Sequence, residues 1–309
     1  MDLVYQDPGG VGYHPVLYMV RLAGRLFGAD PIILGAQPMG RVDKLLALLP
    51  RRRGGGACLL ICRSPSELAS LTQIDDWRQK YGRVIAWVFD SFWVEHIPRF
   101  ARLARHFDHV FVTEQEDLGS WRRSLRAPVD WLPWGSDVLG LGSFSPARKL
   151  DLVRVGRQPP EWDDDAVSAR ACQSRGLVFG GRPEKRDDAG DNERLLMGCF
   201  ADTKFTLSFS NAASPAAYTH HAREYITARW TDALASGAIV AGIAPQSETA
   251  RALLWPEATL ELDSVAREAG LDVLERAVRD WTPARAQLNW SMALERLDWR
   301  WRFERLRDA

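Results

Sequence analysis

Glu224 and Asp232, eight positions apart in the stretch Glu224–Gly242, frame the part of the chain best suited to chemistry. Asp232 opens a run of small residues, Asp-Ala-Leu-Ala-Ser-Gly, that leads straight into the apolar segment Ala238–Ala241. Thr227 is a natural N-cap and Gly237 a natural C-terminal stop, so the spacing predicts a helix from Ala228 to Ser236. Glu224 then precedes the helix, and Asp232 lies one to two turns inside it. A helix N-terminus attracts phosphate through its free N–H groups and the positive end of its dipole. Two carboxylates flanking such a terminus suit a ligand with hydroxyls at both ends and phosphates between. A nucleotide-sugar has that layout.

Other residues fit the same ligand. Gly156-Arg157 follows the predicted strand Leu152–Val155, where the planar guanidinium could clamp a diphosphate; the plain alternative is a surface arginine after a turn. Arg229, in the first turn of the predicted helix, reinforces that site or pairs with Asp232 at i, i+3. Ser208, Asn211, Thr219, His220 and His221 occupy the polar loop between the predicted strand Phe205–Phe209 and Glu224, a usual place for holding ligand hydroxyls or phosphates. The two histidines have no acid or cysteine partner at ligand spacing, so no metal site is expected. Gly10 and Gly12 follow the first predicted strand and lack the dinucleotide fingerprint; they line the ligand cleft or serve as a plain turn. Asp90 ends the predicted strand Val84–Phe89 and has three readings: a general base, a sugar-hydroxyl ligand, or the N-cap of a helix Ser91–Arg105. Asp163-Asp164-Asp165 reads as a solvated turn rather than a metal triplet. Arg51-Arg52-Arg53, after the amphipathic run Val42–Leu49, reads as a solvated loop, with peripheral contact to anionic lipid as its alternative.

The elements that position these residues are strands alternating with helices. Leu3–Tyr5, Pro31–Gly35, Cys58–Cys62, Val84–Phe89, His109–Thr113 and Val129–Leu132 are predicted strands of a first half. Leu152–Val155, Leu177–Phe179, Phe205–Phe209, Ala238–Ala241 and Thr259–Leu262 repeat the pattern in a second. The alternation predicts an α/β protein with two doubly wound, Rossmann-like domains facing a cleft. The expected division is 1–142, 143–285, and a terminal helix 286–309 crossing back over both domains, its apolar stripe formed by Trp290, Leu294, Leu297 and Trp301. Ligands of such sheets bind beyond the carboxyl ends of the strands.

Composition narrows the class. Lys+Arg and Asp+Glu both number 40 in 309 residues, which argues against a nucleic-acid binder. No secretory signal or membrane-length apolar run is expected. Cys58, Cys62, Cys172 and Cys199 are too few and scattered for a disulfide framework, and a cytoplasmic location is the simplest account. Of the 13 tryptophans, Trp134, Trp162 and Trp230 sit beside candidate loops.

Across Glu224–Val240 and Gly156-Arg157 the chain resembles the GT-B-fold glycosyltransferases of the group-1, retaining superfamily, whose signature is Glu-x7-Glu. Glu224 matches the first acid; Asp232-Ala233-Leu234-Ala235-Ser236-Gly237 matches the helix of the second, with Asp in place of Glu. The resemblance implies that Glu224 binds the transferred sugar, Asp232 the nucleotide ribose, and Arg157 the diphosphate. The family's lysine after Gly-Arg is missing from Gln158–Asp165, which leaves Arg229, Arg182 or Lys185 as the second cation, Arg229 being favoured by position. Thr227, Ser208, Asn211, His220, Gly10 and Gly12 complete the implied donor site, and Asp90 joins Glu224 and Arg157 as a catalytic candidate. The implied reaction moves a sugar from a nucleotide-diphosphate donor to a saccharide or lipid-linked acceptor in polysaccharide or cell-envelope glycan synthesis. It needs no cofactor and no metal, and takes place in the cytoplasm or on the inner membrane face. Retention is implied, whereas a base at Asp90 would give inversion. Two rival readings share the fold: a nucleotide-sugar 2-epimerase, and a catalytically silent carbohydrate-binding or envelope-assembly protein.

Overall fold

The computed structural model describes residues 1–35, 40, 47, 49–51, 54–100 and 103–309. Most of the predicted helix Val42–Leu49 lies outside them, as do Arg52 and Arg53. Arg51 is described and is not a free basic charge: it donates to Asp108 at 2.6 Å and to the carbonyl of Tyr81 at 3.0 Å. The chain forms two compact units that divide between Pro133 and Trp134, with residues 302–309 belonging to the first. Each unit is α/β with an all-parallel sheet, consistent with a two-domain GT-B-like fold.

In the first unit all six predicted strands are present: β1 (Asp2–Asp7), β2 (Ile32–Gly35), β3 (Gly56–Cys62), β4 (Tyr81–Val88), β5 (His109–Val112) and β6 (Val129–Trp131). Leu59–Cys62 and Val84–Val88 are buried along their whole length, as strands of a sheet covered on both faces must be. Cys58 and Cys62 are free thiols inside β3, and burial pushes both well above the usual thiol range. The sheet order is β2-β1-β3-β4-β5-β6. The chain thus steps from β1 to one side and then crosses to β3 on the other, and their carboxyl ends form a switch point of the kind that receives ligands in wound sheets. Of the helix expected over Ser91–Arg105, the described residues form a 3-10 turn at Val94–His96, an α-helical segment at Ile97–Phe100 and a 3-10 turn at Ala104–His106, and Asp90 caps none of them.

The second unit holds β7 (Leu150–Arg154), β8 (Thr203–Leu207), β9 (Ile239–Gly242) and β10 (Thr259–Glu261) in the order β10-β9-β8-β7. The predicted strand Leu177–Phe179 shrinks to one bridge, Leu152 with Phe179. Gly180-Gly181 ends it, since Gly181 turns away in the left-handed region at φ 69°. That bridge still orders the topology. Leu152 pairs with Phe179 on one edge and Phe205 on the other. The chain therefore leaves β7 toward one side and returns on the opposite side as β8. The carboxyl ends of β7 and β8 are the second switch point.

The helix predicted over Ala228–Ser236 spans Ala228–Ala235 and stops at Gly237, left-handed at φ 73°. The expected single terminal helix is two, Pro283–Arg296 and Trp299–Asp308. Ser136 breaks it by donating its N–H to the Leu297 carbonyl and accepting from the N–H of Trp299, while the buried Asp298 carboxylate accepts from Leu139. Among the described residues no helix is long and apolar enough to cross a membrane.

Candidate ligand-binding site

The loops beyond β7, β8 and β9 are tied to one short segment, Leu207–Asn211. Ser208 donates its N–H to Ala241 at 2.9 Å and Ser210 to Ile243 at 2.8 Å, which locks β8 to the exit of β9. This closeness needs a glycine at 242: a Cβ there would stand 1.8 Å from the Ser208 carbonyl oxygen. Arg229 reaches across from the first turn of the Ala228–Ala235 helix. Its guanidinium donates to the carbonyls of Arg157 and Phe209, each at 3.0 Å. Gln158 donates to the carbonyls of Val155 and Leu207, each at 3.2 Å, bridging the exits of β7 and β8. Asn211 donates to the carbonyls of His220 at 3.0 Å and Arg223 at 2.7 Å, which fixes the segment leading to Glu224. The Glu224 carboxylate accepts the N–H of Gln246 at 3.0 Å, in the loop after β9.

The charge in this segment is one-sided. Arg157 and Arg229 are adjacent, and among the described residues neither has a carboxylate partner. Burial, and next the Arg157 charge, push the Arg229 guanidinium down to about 10. Two unneutralised cations held together are costly unless an anion joins them. The Arg157 guanidinium donates to Ser214 Oγ at 3.3 Å and lies 5.5 Å from the ring centre of Tyr218, an aromatic residue 73% exposed in the loop. Of the candidate second cations, only Arg229 stands beside Arg157; Arg182 pairs with Asp163 at 3.1 Å and Lys185 is exposed.

Among the described residues, several buried polar atoms without a hydrogen-bond partner belong to the same loops. They are Gln158 Oε1, Ser208 Oγ, Asn211 Oδ1, Thr227 Oγ1 and Arg229 Nε. Folded proteins leave few such atoms unsatisfied, and those at the exits of β7 and β8 are available to a ligand or to solvent. The set mixes acceptors with donors, as a ligand bearing both hydroxyls and phosphates requires.

Several sequence expectations are corrected. Arg229 does not pair with Asp232, because its guanidinium is taken by two carbonyls. Asp232 is only 2% exposed and has Glu193, on the Ala189–Ala201 helix, and Asp137 as its electrostatic neighbours. Burial raises its carboxyl well above the usual range, and the acid neighbours raise it further, which favours the protonated form. Asp232 thus packs among acids, and its Oδ2 is a further buried atom without a hydrogen-bond partner among the described residues. Thr227 occupies the N-cap position, yet its side chain caps no N–H group. His220 is buried, with Nδ1 accepting from the N–H groups of Ala222 and Arg223 at 3.0 Å, so it shapes the loop and presents no free Nδ1. Asp163 and Asp165 hold the buried Arg154, and Asp164 caps the Asp165–Gln173 helix, so the triplet, with Asp163 and Asp164 exposed to solvent, also anchors the segment after β7. Trp162 and Trp230 fill core, and Trp134 packs edge-on against Trp299. Gln158, Ser214 and Tyr218 were not legible as site residues. The signal for Gln158 was its place directly after Gly156-Arg157, and for Tyr218 a lone aromatic in a Ser/Ala/Pro loop.

The switch point of the first unit carries its own cluster. Gly9 and Gly10 follow β1 in the left-handed region at φ 75° and 88°, which only glycine tolerates easily. Nothing in the structure restricts position 12 to glycine. Arg63, just after β3, is ion-paired with Glu67 and lies under the Tyr13 ring at 4.7 Å. Asp90 donates its N–H to the Arg63 carbonyl, and burial, then the Glu67 charge, raise its carboxyl to about 7. The unfolded carboxyl titrates near ~4. Between that pH and about 7 the unfolded chain has lost a proton that the folded chain keeps, so stability falls as pH rises through this window and levels off above it. Asp90→Asn removes that slope. Thermal melts should show the variant more stable than wild type at pH 8 and equal to it near pH 4; parallel pH profiles for the two proteins would refute the assignment.

Among the described residues no group of three or more His, Cys, Asp or Glu side chains could hold a metal ion. No family model matches the chain. No curated protein matches it either. Solved structures do, through 45 chains. One is the crystal structure of TarM, with TM-score 0.48 and 11% identity, covering 81% of this chain and 54% of that one. The chain thus spans about half the length of that structure.

Proposed function

We propose that the protein is a glycosyltransferase that moves a sugar from a nucleotide-diphosphate sugar to an acceptor hydroxyl. The observation that carries this reading is the Arg157–Arg229 pair, without a carboxylate partner among the described residues, at the switch point of the second sheet. The two guanidiniums would hold the diphosphate and stabilise the charge that develops on it as the sugar leaves. Arg229 is anchored by two carbonyls and so is fixed before ligand arrives; Arg157 is held more loosely, by Ser214 and Tyr218. In this reading Glu224 contacts the transferred sugar, and the arginines do the charge neutralisation that a metal does elsewhere.

The signature resemblance supports retention, while a carboxyl that titrates near 7, as at Asp90, suits a general base and inversion. NMR of the product anomer separates the two. The proposal itself is tested by thermal shift against a panel of nucleotides and nucleotide-sugars, followed by assay of donor consumption. Binding raises the melting temperature of the native state. A chain indifferent to every sugar nucleotide sinks the reading; donor converted without acceptor, into a 2-epimer, moves it to the epimerase.

A further inference from the structure

Gln158 and Ser208 stand where β7 and β8 part, and both present a buried polar atom that the protein leaves unmatched. Gln158 is 5% exposed and Ser208 fully buried. The Gln158 amide cannot be turned round. Its nitrogen faces two carbonyl oxygens, those of Val155 and Leu207, and an oxygen in that place would repel both. Oε1 is therefore fixed as an acceptor, without a donor among the described residues. Ser208 Oγ, one residue after the Leu207 carbonyl that anchors this amide, likewise has no partner among the described residues. Asn211 repeats the arrangement three residues on: its nitrogen faces the carbonyls of His220 and Arg223, and Oδ1 is left without a donor.

Two fixed amide acceptors cannot be satisfied by the bridging diphosphate of a nucleotide-sugar, which is fully ionised at neutral pH and offers only acceptors. They require a hydroxyl or N–H donor. Arg157 and Arg229, beside them, require the opposite. We infer that Gln158 and Ser208 form a neutral hydroxyl-reading subsite, which selects a sugar hydroxyl of the ligand whose diphosphate the arginine pair holds. The assignment rests on the proposed function and adds a specificity element to it: the site distinguishes a sugar-bearing diphosphate from bare pyrophosphate. Sites built to bond a ligand hydroxyl reject analogues lacking it strongly, because their own polar groups are then left unmatched. The hydroxyl belongs to the nucleoside ribose or to the transferred sugar, and both present the same chemistry.

Ser208→Ala is the clean variant. It removes an atom with no internal partner, so the ligand-free protein should melt at the wild-type temperature or slightly above it. Calorimetry with inorganic pyrophosphate, five nucleoside diphosphates (ADP, CDP, GDP, UDP and dTDP) and the corresponding glucose nucleotides then reads the subsite. The expected result is about tenfold weaker binding of sugar-bearing ligands, the loss of one hydrogen bond, with pyrophosphate affinity unchanged. Weakening of both the nucleoside diphosphate and its glucose conjugate assigns the hydroxyl to ribose; weakening of the conjugate alone assigns it to the transferred sugar. Gln158→Met, compared at a temperature where its melt shows it folded, should repeat the pattern. Unchanged affinity for every ligand, or equal weakening of pyrophosphate, overturns the assignment while leaving the proposed function standing. Wild-type protein that binds none of these ligands overturns both.

Discussion

Arg157→Ala should lower the rate of sugar transfer at saturating acceptor about 10²–10³-fold, the usual effect of removing one preorganised group that meets developing charge. It should do so without unfolding the protein. The side chain makes one long hydrogen bond, 3.3 Å to Ser214, and a contact with the exposed Tyr218 ring, and neither supports the core. The variant's melting temperature should lie within about 2 °C of wild type in the absence of ligand, and the shift produced by nucleoside diphosphates should vanish. Arg157→Lys should recover only a small part of the activity, because an ammonium cannot offer the paired, planar donors of a guanidinium. Steady-state kinetics and melts of the two variants suffice. Activity of Arg157→Ala within threefold of wild type would dismiss the arginine pair as the diphosphate site, and with it the proposed function.

Gly242→Ala should be the most damaging small substitution in the second unit. The backbone there has φ 151°, outside the comfortable range of residues with a side chain, and the added Cβ would lie 1.8 Å from the Ser208 carbonyl oxygen. Relief requires β8 and β9 to separate where Ser208 bonds Ala241, at the root of the site. Backbone strain and overpacking each cost about 1–3 kcal/mol, so a loss near 3 kcal/mol is expected, or about 6–12 °C for a unit of this size. Ligand binding should fall with it. Gly198→Ala is the matched control. Gly198 lies exposed on the Ala189–Ala201 helix, with nothing within 4 Å of an added Cβ, and the change should stabilise by about 0.5–1 kcal/mol. A Gly242→Ala melt indistinguishable from wild type would contradict the close approach of the two strands.

The local sequence determined the elements and which of them begin or end with a reactive side chain. Near-continuous apolar runs such as Cys58–Cys62 could only be strands buried on both faces, and they are. Thr227 and Gly237 bounded the Ala228–Ala235 helix because capping and left-handed geometry are local preferences, readable without any tertiary contact. Arg157 was picked out as a candidate on the same kind of local ground: it lies in the turn after a strand, and strand ends in wound sheets face the ligand side.

What the sequence could not decide is which way a side chain points once two elements meet. Asp232 and Arg229 are three residues apart on one helix, yet the acid packs beside Glu193 and the arginine beside Arg157. Their separation depends on the angle at which the helix lies over its neighbours, and no local preference encodes that angle. Gln158 became a fixed acceptor only when β8 brought the Leu207 carbonyl to its nitrogen, a contact across 49 residues of chain. The terminal helix broke because Ser136, more than 150 positions earlier, competed for its main-chain groups. Secondary structure follows from short-range sterics and hydrogen bonding, so it was readable one segment at a time. The charge and hydrogen-bonding state of the site follows from long-range packing, and only the assembled second unit set it.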